Sequence, residues 1–295
     1  MKPQFDNQVM SSFLLWFDHT LLKKGEAFQN TTGQFYSVSD DYYGYYTYAS
    51  SYSQFVSDAS IPDATIPTGL YAGNTLVNVG DGGSNGLYAI DYGNGRSYWS
   101  GSQSSDVTGS FAIKDFNVYL TSRTEDEILF QTQYTNRNKI SSVVPTGLEP
   151  DTRTYPVVYL KPDGSSNEPL AFGGMDDTII NVRAIVIADS QFDIDAIGSL
   201  FRDQRQRNIA LLEASEMPFN QFGYYRSGQY NYTGVIDGKN DSQQIFLNDV
   251  NISRFDRVLE NEVRKFNPNV FSTLIDFELS KFRFCLLYTS DAADE

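Results

Sequence analysis

The clearest periodic signal lies near the start of the chain. Met10, Phe13, Leu14, Phe17 and Leu21 recur at the i, i+3, i+4, i+7 spacing that lines one face of a helix. The spacing predicts a helix over residues 7–24, with Asn7 placed to cap it and Lys23, Lys24 and Gly25 forming a fitting C-terminus. Leu15, Trp16 and Leu22 widen the apolar stripe beyond a single face. A helix this apolar has to be buried, either in its own fold or against a neighbouring chain. Phe13 and Phe17 are therefore candidate interface residues as well as core residues.

From residue 29 to 145 the pattern shortens to strand length. Tyr42-Tyr-Gly-Tyr-Tyr-Thr-Tyr48 reads as a strand or strand pair, and Pro62 and Pro67 break the chain into loops. Asp81-Gly-Gly-Ser-Asn-Gly86 and Gly93-Asn-Gly95 are turn signals between short strands. Phe111 to Leu120 reads as one strand and Ile128 to Tyr134 as the next. Short aromatic strands at this spacing predict a sandwich or small barrel.

The segment 146–150, Thr-Gly-Leu-Glu-Pro, reads as a boundary loop, and a different pattern follows. Tyr155 to Leu160 is a predicted strand with Pro162-Asp-Gly164 as its turn, and Thr178 to Ala188 is a long apolar strand buried on both faces. Ser190-Gln-Phe-Asp193 resembles a capping box, and Phe192, Ala196, Ile197, Leu200 and Phe201 then take helical spacing. Arg202, Arg205 and Arg207 load the end of that helix, as its dipole favours. A short helix is expected within 253–265. Ile275, Phe277 and Leu279 alternate with Asp276, Glu278 and Ser280 as a final amphipathic strand. The expected fold is a β-rich α+β protein: an N-terminal helical segment (1–28), a β-rich sandwich or barrel-like middle (29–145) and an α+β half (146–284).

Residues 285–295 break with what precedes them. They hold the only Cys and end on a bare acidic string that resembles the translation of a sequencing-library transposon adapter. The expectation is a truncated metagenomic reading frame with a non-native end, the alternative being a natural acidic tail. Without its three acids, Asp291, Asp294 and Glu295, the formal charge moves from −15 to −12.

Either charge argues against a nucleic-acid binder, which needs a basic footprint, and against an anionic membrane surface. No apolar run reaches the roughly 18 residues of a membrane span, and Met1 to Asn7 lacks the basic start of a signal peptide. One Cys and one His leave no disulfide framework and no Cys/His zinc site, which points to folding in a reducing compartment.

The chemistry-bearing motifs are thin. Asp18 precedes His19, but the His sits within the hydrophobic helix and no Gly-x-Ser-x-Gly elbow exists. The acidic pairs Asp40-Asp41 and Asp176-Asp177 leave open a glycosidase carboxylate pair, which only folding could bring face to face; the second pair follows Gly173-Gly174 and reads as a turn feeding a strand. Asp237-Gly-Lys-Asn-Asp241 has oxygen ligands but not the spacing of an EF-hand. No phosphate-binding glycine loop occurs. The expectation is therefore a non-enzyme without catalytic residues, cofactor or metal. The tyrosine clusters differ, because a tyrosine offers a broad apolar face with a polar tip. Tyr42, Tyr43, Tyr45 and Tyr46, with Tyr224, Tyr225 and Tyr230, are candidate interface residues, ordinary sheet packing being the alternative.

Several stretches together resemble a family of virion structural proteins from large contractile-tailed marine phages, cyanophages included. They are Met10-Ser-Ser-Phe-Leu-Leu15, Thr20-Leu-Leu-Lys-Lys-Gly-Glu-Ala-Phe28 and Gly44-Tyr-Tyr-Thr-Tyr48. Further on come Lys114-Asp-Phe-Asn-Val-Tyr-Leu120, Ala171-Phe-Gly-Gly-Met-Asp-Asp-Thr178, Asn181-Val-Arg-Ala-Ile-Val-Ile-Ala-Asp-Ser190 and Ile275-Asp-Phe-Glu-Leu279. The resemblance spans nearly all of 8–284 and carries no catalytic motif. It implies a particle component assembled in the host cytoplasm, working through contacts with other virion proteins and as a homo-oligomer. The order of elements after residue 150 is compatible with ring-forming proteins of the head–tail junction. A host-surface adhesin binding glycan through tyrosine-rich loops is the alternative.

Overall fold

The computed structural model describes residues 5–39, 43–81, 83–131, 134–136, 153–171, 175–218, 229–254 and 270–284. The chain is a β-rich α+β protein with an N-terminal helix, a nearly closed barrel-like sheet and a half-barrel sheet. Helix α1 spans Phe5–Lys24, so Asn7 lies in its first turn rather than at its cap. It stops at Gly25, whose N–H donates to the Leu21 carbonyl at 3.0 Å. A Cβ there would sit 2.6 Å from that same oxygen, which is why glycine ends the helix.

The barrel-like sheet is antiparallel and holds seven strands: β1 (Phe28–Ser37), β2 (Tyr46–Ser50), β3 (Gly69–Ala72), β4 (Thr75–Asn78), β5 (Leu87–Asp91), β6 (Arg96–Trp99) and β7 (Val107–Lys114). Their order is β4-β3-β7-β1-β2-β6-β5. The ends of the sheet meet where the Gly80 N–H donates to the Leu87 carbonyl at 2.9 Å. Phe35, Phe55, Phe111, Trp99 and Leu70 fill the interior, with Phe55 and Phe111 at 4.2 Å between ring centroids.

The second sheet is built from β8 (Asn117–Leu120), β11 (Val157–Ala171), β12 (Met175–Ala188), β13 (Arg207–Ala210), β14 (Gln244–Ser253) and β15 (Phe271–Phe284), in the order β13-β14-β15-β12-β11-β8. Only β8 runs parallel to its neighbour. The short β9 (Tyr134–Asn136) and β10 (Arg153–Tyr155) pair separately. Helix α1 lies on the inner face with α2 (Gln191–Arg202), and α3 (Tyr232–Ile236) precedes β14. Alternation decides what each face buries. Ile180, Val182, Ala184 and Val186 of β12 and Ile275, Phe277 and Leu279 of β15 meet the helices, while Tyr159, Ile185, Ile187 and Leu274 form a smaller cluster on the outer face.

Several expectations are corrected. The run Phe111–Leu120 is two strands, because the chain leaves the barrel after Lys114 and enters the second sheet at Asn117. The seven-stranded sheet thus closes well before residue 145, and α1 is part of the second sheet's core rather than a separate segment. The strand expected over Ile128–Tyr134 is not there at its start: Glu127–Gln131 forms one turn of π-helix that inserts Ile128 into the outer-face cluster, while Tyr134 opens β9. Pro162-Asp-Gly164 is a bulge within β11, where the register against β12 shifts and Gly164 takes a φ of +109°. Phe192 is 79% exposed. The buried face of α2 is set by Ile194, Ile197 and Phe201, and Phe192 lies about 140° round the helix from Ile197. The boundary loop at 146–150, residues 255–265 of the expected helix and residues 285–295 lie outside the described residues.

Candidate functional site

The aromatic surface of the barrel is the site most clearly set apart from its surroundings. The chain enters β2 through a turn in which Tyr43 and Gly44 take φ values of +51° and +81°. That turn leaves Tyr43 88% exposed and Tyr46 52% exposed. Tyr45 stacks on Tyr88 with ring centroids 4.2 Å apart and planes 17° from parallel. Tyr88 reaches this position because the register of β5 against β6 shifts between Leu87 and Ala89. Leu87 and Ile90 therefore both point into the barrel, while Tyr88 faces outward and is 53% exposed. The result is one stacked tyrosine pair with two further exposed tyrosines near Tyr45 in the chain, side chains of the kind protein partners and sugars both use.

Sequence reasoning found Tyr43, Tyr45 and Tyr46 but missed Tyr88, since strict alternation would put it on the same side as Ile90. Tyr42, Tyr224 and Tyr225 lie outside the described residues. Tyr230 is half-buried and acts as a strap. Its N–H donates to the Ser57 carbonyl at 3.0 Å and its carbonyl accepts from the Ala59 N–H at 2.7 Å. Phe13 and Phe17 are buried within their own chain and so offer no surface to another. Phe17 stacks on Phe201 at 4.1 Å and Phe13 meets Phe277 edge-on at 5.0 Å.

A second group of polar residues sits at the junction of the two sheets. His19 on α1 pairs through Nδ1 with Asp58 Oδ2 at 2.6 Å. The other oxygen of Asp58 accepts from the Ser60 N–H at 2.9 Å, the Ser60 hydroxyl at 2.7 Å and the Tyr232 N–H at 3.0 Å. Burial pushes the Asp58 carboxyl up, but His19 and these donors outweigh it and hold it below the usual carboxylate range. The His19 ring lies against Tyr232 at 4.5 Å. Burial, with the Asp58 charge beside it, pushes the Tyr232 phenol up. One helix residue earlier, Asp18 takes both its oxygens to Lys114 Nζ, at 2.8 and 2.9 Å. The neighbours Asp18 and His19 thus serve two separate pairs rather than one triad. Each pair ties α1 to a different part of the barrel side.

The outer face of the second sheet carries a shallow groove lined by Asp163, Asn181, Asp249, Asn251, Asp276 and Glu278. Arg183 crosses it, with Nε 2.6 Å from Asp276, and reaches Glu125 and Asp163 as well. Those carboxylates hold the guanidinium firmly charged. Asp176 and Asp177 lie on β12 opposite Arg283 and Phe282. Among the described residues, no three His, Cys, Asp or Glu side chains are grouped to hold a metal ion, and no helix is long and apolar enough to cross a membrane. Comparison of the chain with protein-family models finds no match, and comparison with curated proteins finds none.

Proposed function

We propose that the chain is a structural component of a tailed-phage virion, placed in the neck or tail, and that it works through contacts with other virion proteins. The observation that carries this reading is the stacked Tyr45–Tyr88 pair on the barrel, with Tyr43 and Tyr46 exposed near Tyr45 in the chain. Exposed aromatics grouped in this way mark a binding surface. The extended resemblance over 8–284 supplies the particle context, and the acidic charge fits a soluble assembly partner.

The direct test is a Tyr43→Ala/Tyr88→Ala double variant. Both positions are exposed, so folding should be preserved within about 1 kcal/mol. Incorporation into particles, or co-purification with isolated virion components, should fall at least about tenfold, the equivalent of 1.4 kcal/mol. Normal incorporation with loss of binding to host polysaccharide would instead assign the tyrosines to glycan recognition.

A further inference from the structure

The protein carries a formal charge of −15, yet one region of it is basic. Helices α1 and α2 end side by side, and a Cβ at Gly25 would lie 3.2 Å from the Leu200 side chain. Lys24 Nζ donates to the Gln204 side chain at 2.5 Å, holding the two ends together. Segments 23–26 and 202–207 bring Lys23, Lys24, Arg202, Arg205 and Arg207 to this spot against two acids, Glu26 and Asp203. All five cations are exposed. Burial, with the charges of Arg207 and Lys23, pulls the Lys24 ammonium below its usual range. Among the described residues, Lys23, Arg202, Arg205 and Arg207 have no carboxylate within salt-bridge distance. The negative ends of two helix dipoles favour these cations but do not neutralise them.

The opposite charge lies on the other side of the same sheet. Asp163, Asp249, Asp276 and Glu278 line the outer-face groove, and Arg183 satisfies Asp163 and Asp276. Asp249 and Glu278 are exposed and outside that network. The helices cover the inner face, so the basic patch and the acidic groove cannot meet within one chain.

We infer that the basic patch formed by the ends of α1 and α2 docks into the acidic outer-face groove of a second copy of this chain, giving head-to-tail self-assembly. The occupant follows from charge. A chain this acidic repels nucleic acid and anionic lipid as a whole, whereas a second copy presents a groove of opposite charge lined by Asp249 and Glu278. The direction follows from placement. Complementary patches on opposite faces make a heterologous contact, which closes into a ring or runs on as a filament. The inference deepens the proposed virion role by naming one partner, and it can fail alone. A wild-type chain that stays monomeric yet enters particles would remove self-assembly and leave the virion role intact.

The test is sedimentation or light scattering on the full chain at about 0.1 M and about 1 M salt, where the screening length falls from about 10 Å to about 3 Å. Association is expected at low salt, with the dissociation constant at least about tenfold weaker at high salt. Arg205→Glu/Arg207→Glu and Asp249→Lys/Glu278→Lys should each be monomeric, and all four positions are exposed, so both variants should fold. Mixing the two variants recreates complementary patches and should restore association. A monomeric wild type, variants that associate like wild type, or a mixture that stays monomeric would each overturn the inference. So would loss of duplex DNA binding in Arg205→Glu/Arg207→Glu with self-association unchanged, which would give the patch to nucleic acid.

Discussion

Removing the Lys114 ammonium should cost far more than the Lys114–Asp18 pair is worth. Both side chains are only 6% exposed, and Nζ lies 2.8 and 2.9 Å from the two carboxylate oxygens. At an effective dielectric of about 20, charges roughly 3 Å apart attract by about 5–6 kcal/mol. Stripping water from each ion costs several kcal/mol, so the intact pair comes out near zero. Lys114→Met keeps most of the side chain's volume and leaves Asp18 as an unpaired buried carboxylate. The expected loss is about 3–5 kcal/mol. Replacing both partners, as Lys114→Met/Asp18→Leu, removes both ions and should recover all but about 1–2 kcal/mol. Urea unfolding is the assay, and the two tryptophans make it informative, since Trp16 reports the helix layer and Trp99 the barrel interior. A single-variant loss below about 1 kcal/mol, or a double variant as damaged as the sum of the singles, would refute this reasoning.

Three further outcomes are expected. Phe17→Ala removes a fully buried ring stacked on Phe201 and edge-on to Phe277, and should destabilise by about 3–5 kcal/mol in the same urea assay. Asp58 is held below the usual carboxylate range, so its contribution is complete above the unfolded pKa of about 3.9 and is lost as the pH falls through the folded value. Asp58→Asn should accordingly be less stable near neutrality and flatten the stability loss below about pH 4, and an acid limb identical to wild type would contradict this. Ser190 caps α2 by accepting the Phe192 N–H, so Ser190→Ala should cost about 1 kcal/mol, read as a shift in urea midpoint without a change in slope.

What was legible in the chain follows from the range of the interactions involved. The α1 helix, the strand Thr178–Ala188, the Ser190 cap and the alternation of Ile275, Phe277 and Leu279 all rest on local periodicity, and the structure has each of them. The hinge at Asp115–Phe116 was not legible, because two adjacent strands read as one when nothing local marks a change of sheet. The bulge at Pro162–Ser165 was hidden by its composition, since Pro-Asp-Gly signals a turn unless a partner strand continues past it. The candidate surface was half legible. Tyrosine density pointed to residues 42–48, but the bulge that turns Tyr88 outward exists only in the pairing of β5 with β6. The partners of Asp18 and His19 could not be read at all, since Lys114 and Asp58 are 96 and 39 residues away.

Those two pairs explain why α1 carries polar groups in its most buried stretch. An apolar helix on an apolar sheet face can shift along it at little cost, because dispersion and hydrophobic contact are weakly directional. Hydrogen bonds are directional, and α1 makes them from three positions in this stretch, Ser12, Asp18 and His19. Ser12 Oγ donates to the Gln8 carbonyl at 2.7 Å and accepts the Leu212 N–H at 2.9 Å. Asp18 reaches Lys114, the last residue of β7, and His19 reaches Asp58, which also accepts the Tyr232 N–H. Any slide of the helix breaks the bonds to Leu212, Lys114 and Asp58 at once and strands buried polar atoms, each costing about 1–3 kcal/mol. The pairs therefore add little to net stability but fix one docking of the barrel on the half-barrel. Their signature is cooperativity. In wild type the Trp16 and Trp99 fluorescence transitions should coincide. In Lys114→Met/Asp18→Leu, with stability largely recovered, the two midpoints should separate, and coincident transitions in that variant would show that the apolar contacts alone hold the junction in register.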